Sequence, residues 1–287
     1  MSRLAEIVVD VPAGARDAAE RVAYGAGAQG IEVRDADTGA PRGRVQIVWW
    51  TSERARAVTV RAVRGRLSTV RDARVASRVI EATWLPPPRP QEIGDRFVVI
   101  GLDDEAPRGA RVALRVDAAL GFGDGLHPTT VLCVEALERH VSGGARVLDV
   151  GTGTGILALC AARLGAREVV ATDVDPLARH AARTGLAANG VRATVRAALP
   201  RARFDVVVAN LYLEPLLALA AELAARVDGG GRLIVSGFGT DSRPRVVDAL
   251  CSCGLHVVAR RTRAGFCCVV FARPTRPRDP GPGRPRR

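Results

Sequence analysis

Ten residues constrain this chain more than any others: Val147-Leu148-Asp149-Val150-Gly151-Thr152-Gly153-Thr154-Gly155-Ile156. An apolar run that reads as a buried strand passes directly into alternating glycines and then into the helical spacing of residues 156–164. Glycine permits positive φ and leaves room for a ligand to touch the backbone. Open α/β sheets bind ligands outside the carboxyl ends of their strands. The turn is therefore predicted to lie at the site.

The flanking rhythm extends the prediction. Strands are expected at 146–150, 168–172, 205–209 and 232–236, with helices at 131–140, 156–164, 176–188, 213–227 and 243–253 between or beside them. Alternating βαβ units imply a parallel sheet covered on both faces. Two last strands, 255–260 and 266–272, close the pattern as a hairpin, a feature of methyltransferase sheets rather than plain dehydrogenase ones.

The turn narrows the ligand. A dinucleotide fingerprint would be G-x-G-x-x-G, whereas here the last of those positions is Ile156 and the spacing is G-x-G-x-G. A P-loop needs Gly-Lys-Ser/Thr, and the chain has no lysine. The pattern fits a ligand without a pyrophosphate, such as S-adenosylmethionine. Asp173 follows at the end of the next expected strand, 22 residues after Gly151, where a carboxylate can accept both ribose hydroxyls. Asp175 is expected to cap the helix opened by Pro176. The alternative is that both aspartates only cap. Asn210, in Ala209-Asn210-Leu211-Tyr212-Leu213, ends a further strand on the methyl-group side. Its amide oxygen and nearby carbonyls can accept from an amine and aim the lone pair, or Asn210 can be a plain helix cap.

The first eighty residues read as a separate unit. Strands are expected at 4–11, 31–34, 44–50 and near 67–75, with helices at 15–25 and from an N-cap at Ser52 to Gly65. That β-α-β-β-α-β order is ferredoxin-like. Trp84-Leu85-Pro86-Pro87-Pro88-Arg89-Pro90 is a stiff extended spacer, and 96–101 and 111–116 read as short strands. The expected division is a ferredoxin-like substrate-recognition domain at 1–83, a Pro-rich connector at 84–106, the large domain at 107–273 and a disordered basic tail at 274–287.

Charge matters next. The net charge of +12 invites a nucleic-acid reading. All 42 basic residues are arginine, which looks like codon bias, and removing 272–287 leaves 36 basic against 29 acidic residues. The remaining excess gathers in 52–80, a solvated face or a docking surface for an acidic protein or RNA. Direct nucleic-acid binding is left open and is not required. The six cysteines lack zinc spacing and are read as reduced structural thiols. No apolar run reaches a membrane-spanning length and the start lacks signal-peptide patterning, so no membrane association and a cytoplasmic address are expected.

Gly121-Phe122-Gly123-Asp124-Gly125-Leu126-His127-Pro128-Thr129-Thr130 resembles the A-F-G-T-G-T-H-P-T-T signature of the bacterial ribosomal protein L-eleven methyltransferases (the PrmA family). A helix and the L-D-V-G-x-G-x-G-I-L-A block follow, as in that family. The likeness extends to residues 27–33 and to the connector. The resemblance implies a doubly wound, Rossmann-like class I methyltransferase sheet with a small N-terminal ferredoxin-like α+β domain. It implies a cofactor site for S-adenosyl-L-methionine made of Thr130, Gly151, Gly153, Asp173 and Asn210, with Phe122 and His127 in a loop over its methionine end. It implies methylation of amino groups, on lysines and the N-terminus, of a large-subunit ribosomal protein. Asp124 and Leu126 replace two threonines of the signature, Leu211–Leu216 replaces I-L-A-G-P-L, and Phe266 stands where a tryptophan is usual.

Methyl transfer from a sulfonium is an in-line displacement that needs no metal and no nucleophilic side chain, only alignment and exclusion of water. Asn210 is then the expected catalytic residue, orienting a neutral amine. The alternatives are a methyltransferase for another protein, peptide or small molecule, and a non-catalytic ribosome- or RNA-binding protein.

Overall fold

In β1 (Arg3–Pro12) the alternate residues Ala5, Ile7, Val9 and Val11 are fully buried, as a half-buried strand requires. β1 pairs antiparallel with β3 (Arg44–Ser52) and β4 (Arg74–Glu81), and β2 (Glu32–Arg34) adds to β3, giving the order β2-β3-β1-β4. Helices α1 (Arg16–Gly25) and α2 (Arg56–Arg66) cover the buried face through Ala19, Ala23 and Val63. The β-α-β-β-α-β order is the one expected. Two local expectations fail. Ser52 ends β3 opposite Leu4, and the helix starts later, at Arg56, with Ala55 as N-cap and no side-chain cap. The last strand starts at Arg74, not near Leu67, because the chain turns through Asp72 at φ 59° before it can pair with β1.

The computed structural model describes residues 3–26, 28, 31–36, 38–81, 90–102, 104–107, 109, 111–116 and 127–275. The prolines from 86 to 88, Phe122 and nearly all of the basic tail lie outside them. The short strands expected at 96–101 and 111–116 are present as β6 (Phe97–Ile100) and β7 (Val112–Arg115), and β5 (Gln91–Ile93), which was not anticipated, joins them in a small sheet. Ile93, Phe97 and Leu114 of that sheet are buried in the core of the large unit.

The large unit is built on seven strands in the order β10-β9-β8-β11-β12-β14-β13. These are β8 (Arg146–Val150), β9 (Glu168–Thr172), β10 (Thr194–Arg196), β11 (Phe204–Asn210), β12 (Val227–Gly239), β13 (His256–Arg263) and β14 (Phe266–Ala272). β14 runs antiparallel to both its neighbours, β12 and β13, and the remaining pairings are parallel. One face packs on α3 (Pro128–His140), α4 (Ile156–Arg163) and Leu186 of α5 (Pro176–Ala188). The other packs on α6 (Leu213–Ala218), α7 (Ala220–Arg226) and α8 (Arg243–Ser252). The single helix expected over 213–227 is broken at Leu219, and β10 was not anticipated.

The two units touch through α2 and α5. Leu177 is buried in the core of the N-terminal sheet, Ala181 packs on Ala55, and Arg66 Nη2 lies 3.0 Å from Asp175 Oδ1.

Candidate active site

The glycine turn sits where β8 ends. Gly151, Gly153 and Gly155 have φ of 72°, 54° and 85°, a region open to glycine and strained for other residues. The Gly151 and Thr152 N–H groups both donate to the Thr172 carbonyl, at 2.8 and 2.9 Å, which ties the turn to the end of β9. A Cβ on Gly151 would come within 2.3 Å of Leu211 Cδ2, so the turn and the end of β11 are in close contact.

Asp173 stands beyond β9. Its Oδ2 accepts from Gly153 N–H at 3.1 Å and its Oδ1 from Asp175 N–H at 2.9 Å. Each oxygen keeps acceptor capacity for a further donor, which suits a pair of vicinal hydroxyls. Asp175 caps α5 by accepting from Leu177 N–H at 2.9 Å, as expected of that residue. The adjacent Val174 is 88% exposed. An apolar side chain left uncovered beside such a carboxylate suits the flat face of a base; sequence reasoning passed over it because an isolated valine carries no pattern.

Asp149 lies beneath the turn, fully buried. Its Oδ2 accepts from Thr152 Oγ1 at 2.6 Å and Ala158 N–H at 3.1 Å, while Oδ1 is buried without a partner. Burial pushes its carboxyl up to about 7 against the two hydrogen bonds that favour the charged form.

Asn210 ends β11, level with Ser236 of β12. Its Nδ2 donates to Thr130 Oγ1 at 3.4 Å, which turns Oδ1 away as a free acceptor. Thr130 is buried in the first turn of α3. His127 is the N-cap of α3, accepting from Thr129 N–H through Nδ1, with Pro128 at the first helical position. Its ring meets Phe266 edge-on with centroids 4.8 Å apart. Tyr212, 63% exposed, follows Asn210, and burial of its hydroxyl raises the phenol above its usual value. Behind them Gly237, at φ 101°, lies against the Leu211 backbone, so that a Cβ there would fall 2.1 Å from the Leu211 oxygen.

Thr130, Gly151, Gly153, Asp173 and Asn210 thus meet at the carboxyl ends of β8, β9 and β11, with His127 at the edge. The acceptors suit a nucleoside on the Asp173 side and an amine on the Asn210 side. Among the described residues no cluster of His, Cys, Asp and Glu could hold a metal ion, and all six cysteines are free thiols.

Residues 3–274 match the model of a family described as ribosomal protein L11 methyltransferase (PrmA). A ribosomal protein L11 methyltransferase of Symbiobacterium thermophilum is 39% identical over 191 residues, covering 65% of this chain and 63% of that protein. One of Geobacter sulfurreducens is 44% identical over 186 residues, covering 63% and 62%. The matches thus span less than two thirds of these relatives' length. Among solved structures, the ribosomal protein L11 methylase of Lactobacillus delbrueckii subsp. bulgaricus superposes with a TM-score of 0.60 at 26% identity, over 66% of this chain and 100% of that one.

Proposed function

The chain belongs to the ribosomal protein L11 methyltransferase family, and on that premise we propose that it transfers methyl groups from S-adenosyl-L-methionine to amino groups of ribosomal protein L11. The acceptors are lysine side chains, the N-terminus or both. The observation that carries this reading is the meeting of a glycine turn hydrogen-bonded to Asp173 with an Asn210 carboxamide pinned by Thr130.

These residues suit S-adenosylmethionine. Asp173 would take the ribose hydroxyls, Gly151 and Gly153 the close approach of the nucleoside, and Val174 the adenine. The unpartnered Asp149 Oδ1 lies below the turn. When bound, the cofactor supplies an already activated methyl group. The chain's own task is then alignment and desolvation. Asn210 Oδ1 accepts an N–H of the incoming amine and holds its lone pair in line. A lysine amine, with a pKa of about 10.4 in water, must arrive neutral, and loss of water as the acceptor segment covers the site lowers that value. His127 organises the first turn of α3 and takes no proton in this scheme.

Residues 1–83 would recognise the acceptor protein, 84–106 connect, 107–273 carry out transfer and 274–287 form a basic tail. A cytoplasmic address goes with this acceptor; among the described residues no helix is long and apolar enough to cross a membrane.

The test is incubation with methyl-tritiated cofactor and a total ribosomal protein extract, followed by mass spectrometry. The chain has no lysine, so it offers no side-chain amine of its own as background. Label on amines of L11 is expected. Label on a different protein would overturn the acceptor, and no label with no cofactor binding would overturn the activity.

A further inference from the structure

A second feature lies at the β13 edge of the large sheet. A groove of about 610 Å³ is lined by Leu132 and Glu135 of α3, Arg243 at the head of α8 and the β13 run from Arg260 to Arg263. Four arginines therefore face one carboxylate. Glu135 lies 2.7 Å from Arg263 Nη2 and 3.8 Å from Arg261 Nη1. Arg243 and Arg260 have no carboxylate partner among the described residues, so the groove keeps a positive excess.

Its place ties it to the acceptor side. Arg263 pairs with Phe266, Phe266 with Gly239, and the Phe266 ring meets His127 of the α3 cap. Thr130, in the first turn of that helix, holds Asn210. β13 lies three strands from β11, or about 14 Å at the usual inter-strand spacing. An extended peptide covers that distance in about four or five residues.

β13 is also the outermost strand of its sheet. Its free edge can pair with an added extended segment. Arg261 and Arg263 recur with the two-residue period of such a segment. Among the described residues no aromatic side chain lines the groove, whereas grooves for single-stranded nucleic acid combine basic residues with stacking platforms. Edge arginines can also serve only to keep sheets apart, which the experiment below separates.

We propose that this groove binds an acidic, extended segment of the methyl-acceptor protein, with carboxylates about four or five residues from the acceptor amine, and so sets which amine reaches Asn210. The proposal rests on the protein-methyltransferase reading for its purpose, not for the binding itself.

Arg243→Glu/Arg260→Glu in the full chain is the perturbation, since it spares the Glu135 ion pairs. In the transfer assay the double variant should raise KM for L11 about tenfold, leaving kcat and cofactor affinity unchanged. An unaltered KM with active wild type would overturn the groove while the proposed activity stands. Independently of transfer, fluorescence anisotropy of a labelled peptide of alternating Glu and Ala should show binding to wild type, loss in the double variant and no binding of the Gln–Ala counterpart. Absence of binding to wild type would overturn the proposal even if no methyl transfer is found. Equal binding of both peptides, or displacement of neither by salt, would do the same. Tight polyuridylate binding lost in the double variant, with acidic peptide binding absent, would reassign the groove to RNA.

Discussion

The carboxyl of Asp149 makes the stability of this protein depend on pH in an unusual direction. It is buried under the glycine turn and titrates at about 7, against an ordinary value of 3.8. Desolvation of the charged form causes the rise and outweighs the hydrogen bonds from Thr152 and Ala158. The folded state therefore holds a proton that the unfolded state has released, and stability falls as pH climbs from about 4 to about 7. The full gap corresponds to about 4 kcal/mol, of which about 2.5 kcal/mol is lost between about pH 5 and about pH 8. Asp149→Asn removes the titration while its amide oxygen can still accept from Thr152 and Ala158. Urea melts followed by far-ultraviolet circular dichroism, without cofactor, would measure both proteins across that range. His140 is held below its usual value mainly by burial and works in the opposite sense, but it is present in both proteins and cancels in the difference. The variant should show a slope flatter by about 2.5 kcal/mol over the range. Parallel curves, differing by less than about 0.5 kcal/mol in slope, would refute a protonated Asp149.

Asn210→Ala should lower turnover about 10- to 100-fold, the worth of one orienting hydrogen bond, with cofactor affinity within about twofold by calorimetry; equal loss of both would remove Asn210 from the acceptor side. Asp173→Ala should weaken cofactor binding about 10- to 100-fold, and an unchanged dissociation constant would take Asp173 out of the ribose site. Gly237→Ala places a methyl group 2.1 Å from the Leu211 oxygen at φ 101°, so it should destabilise by about 3 kcal/mol or more. A melting temperature within a degree or so of wild type would show that the Leu211 segment moves freely.

What could be read from the sequence was what is local. The turn from Val150 to Ile156 needs only its own glycines and the strand before it, and Asp175-Pro176 announces a helix start by its own chemistry. Short strands were missed because three residues, as in β5 and β10, cannot show alternation. Ser52 is a competent cap, but pairing with β1 claimed it for β3. The break at Leu219 falls in a run of leucine and alanine without glycine or proline. β12 runs back through Gly229–Gly231, which composition marks as a turn, because Arg273 exchanges hydrogen bonds with Gly230 and Gly231. The arginine groove was beyond reach: Glu135 and Arg263 are 128 residues apart, and only the sheet order brings them together. The close approach of Leu211 to Gly151 was hidden for the same reason.

α5 joins these levels. Its N-terminus carries Asp175, which caps the helix and also meets Arg66 of the N-terminal unit. Two residues earlier Asp173 grips the glycine turn, and Arg179, one turn into the helix, donates to the Asp173 carbonyl at 2.8 Å. Leu177 is buried in the core of the neighbouring unit, and Leu186 at the other end in the core of the large one. The solvated ion pair contributes little, roughly 1 kcal/mol or less; burial of Leu177 contributes more, roughly 1.5–3 kcal/mol. The position of the N-terminal unit is thus set chiefly by apolar packing on the one helix whose first residues also frame Asp173. A displacement of that unit must uncover Leu177, so Asp173 and the unit that would hold the acceptor protein are anchored to the same rigid element.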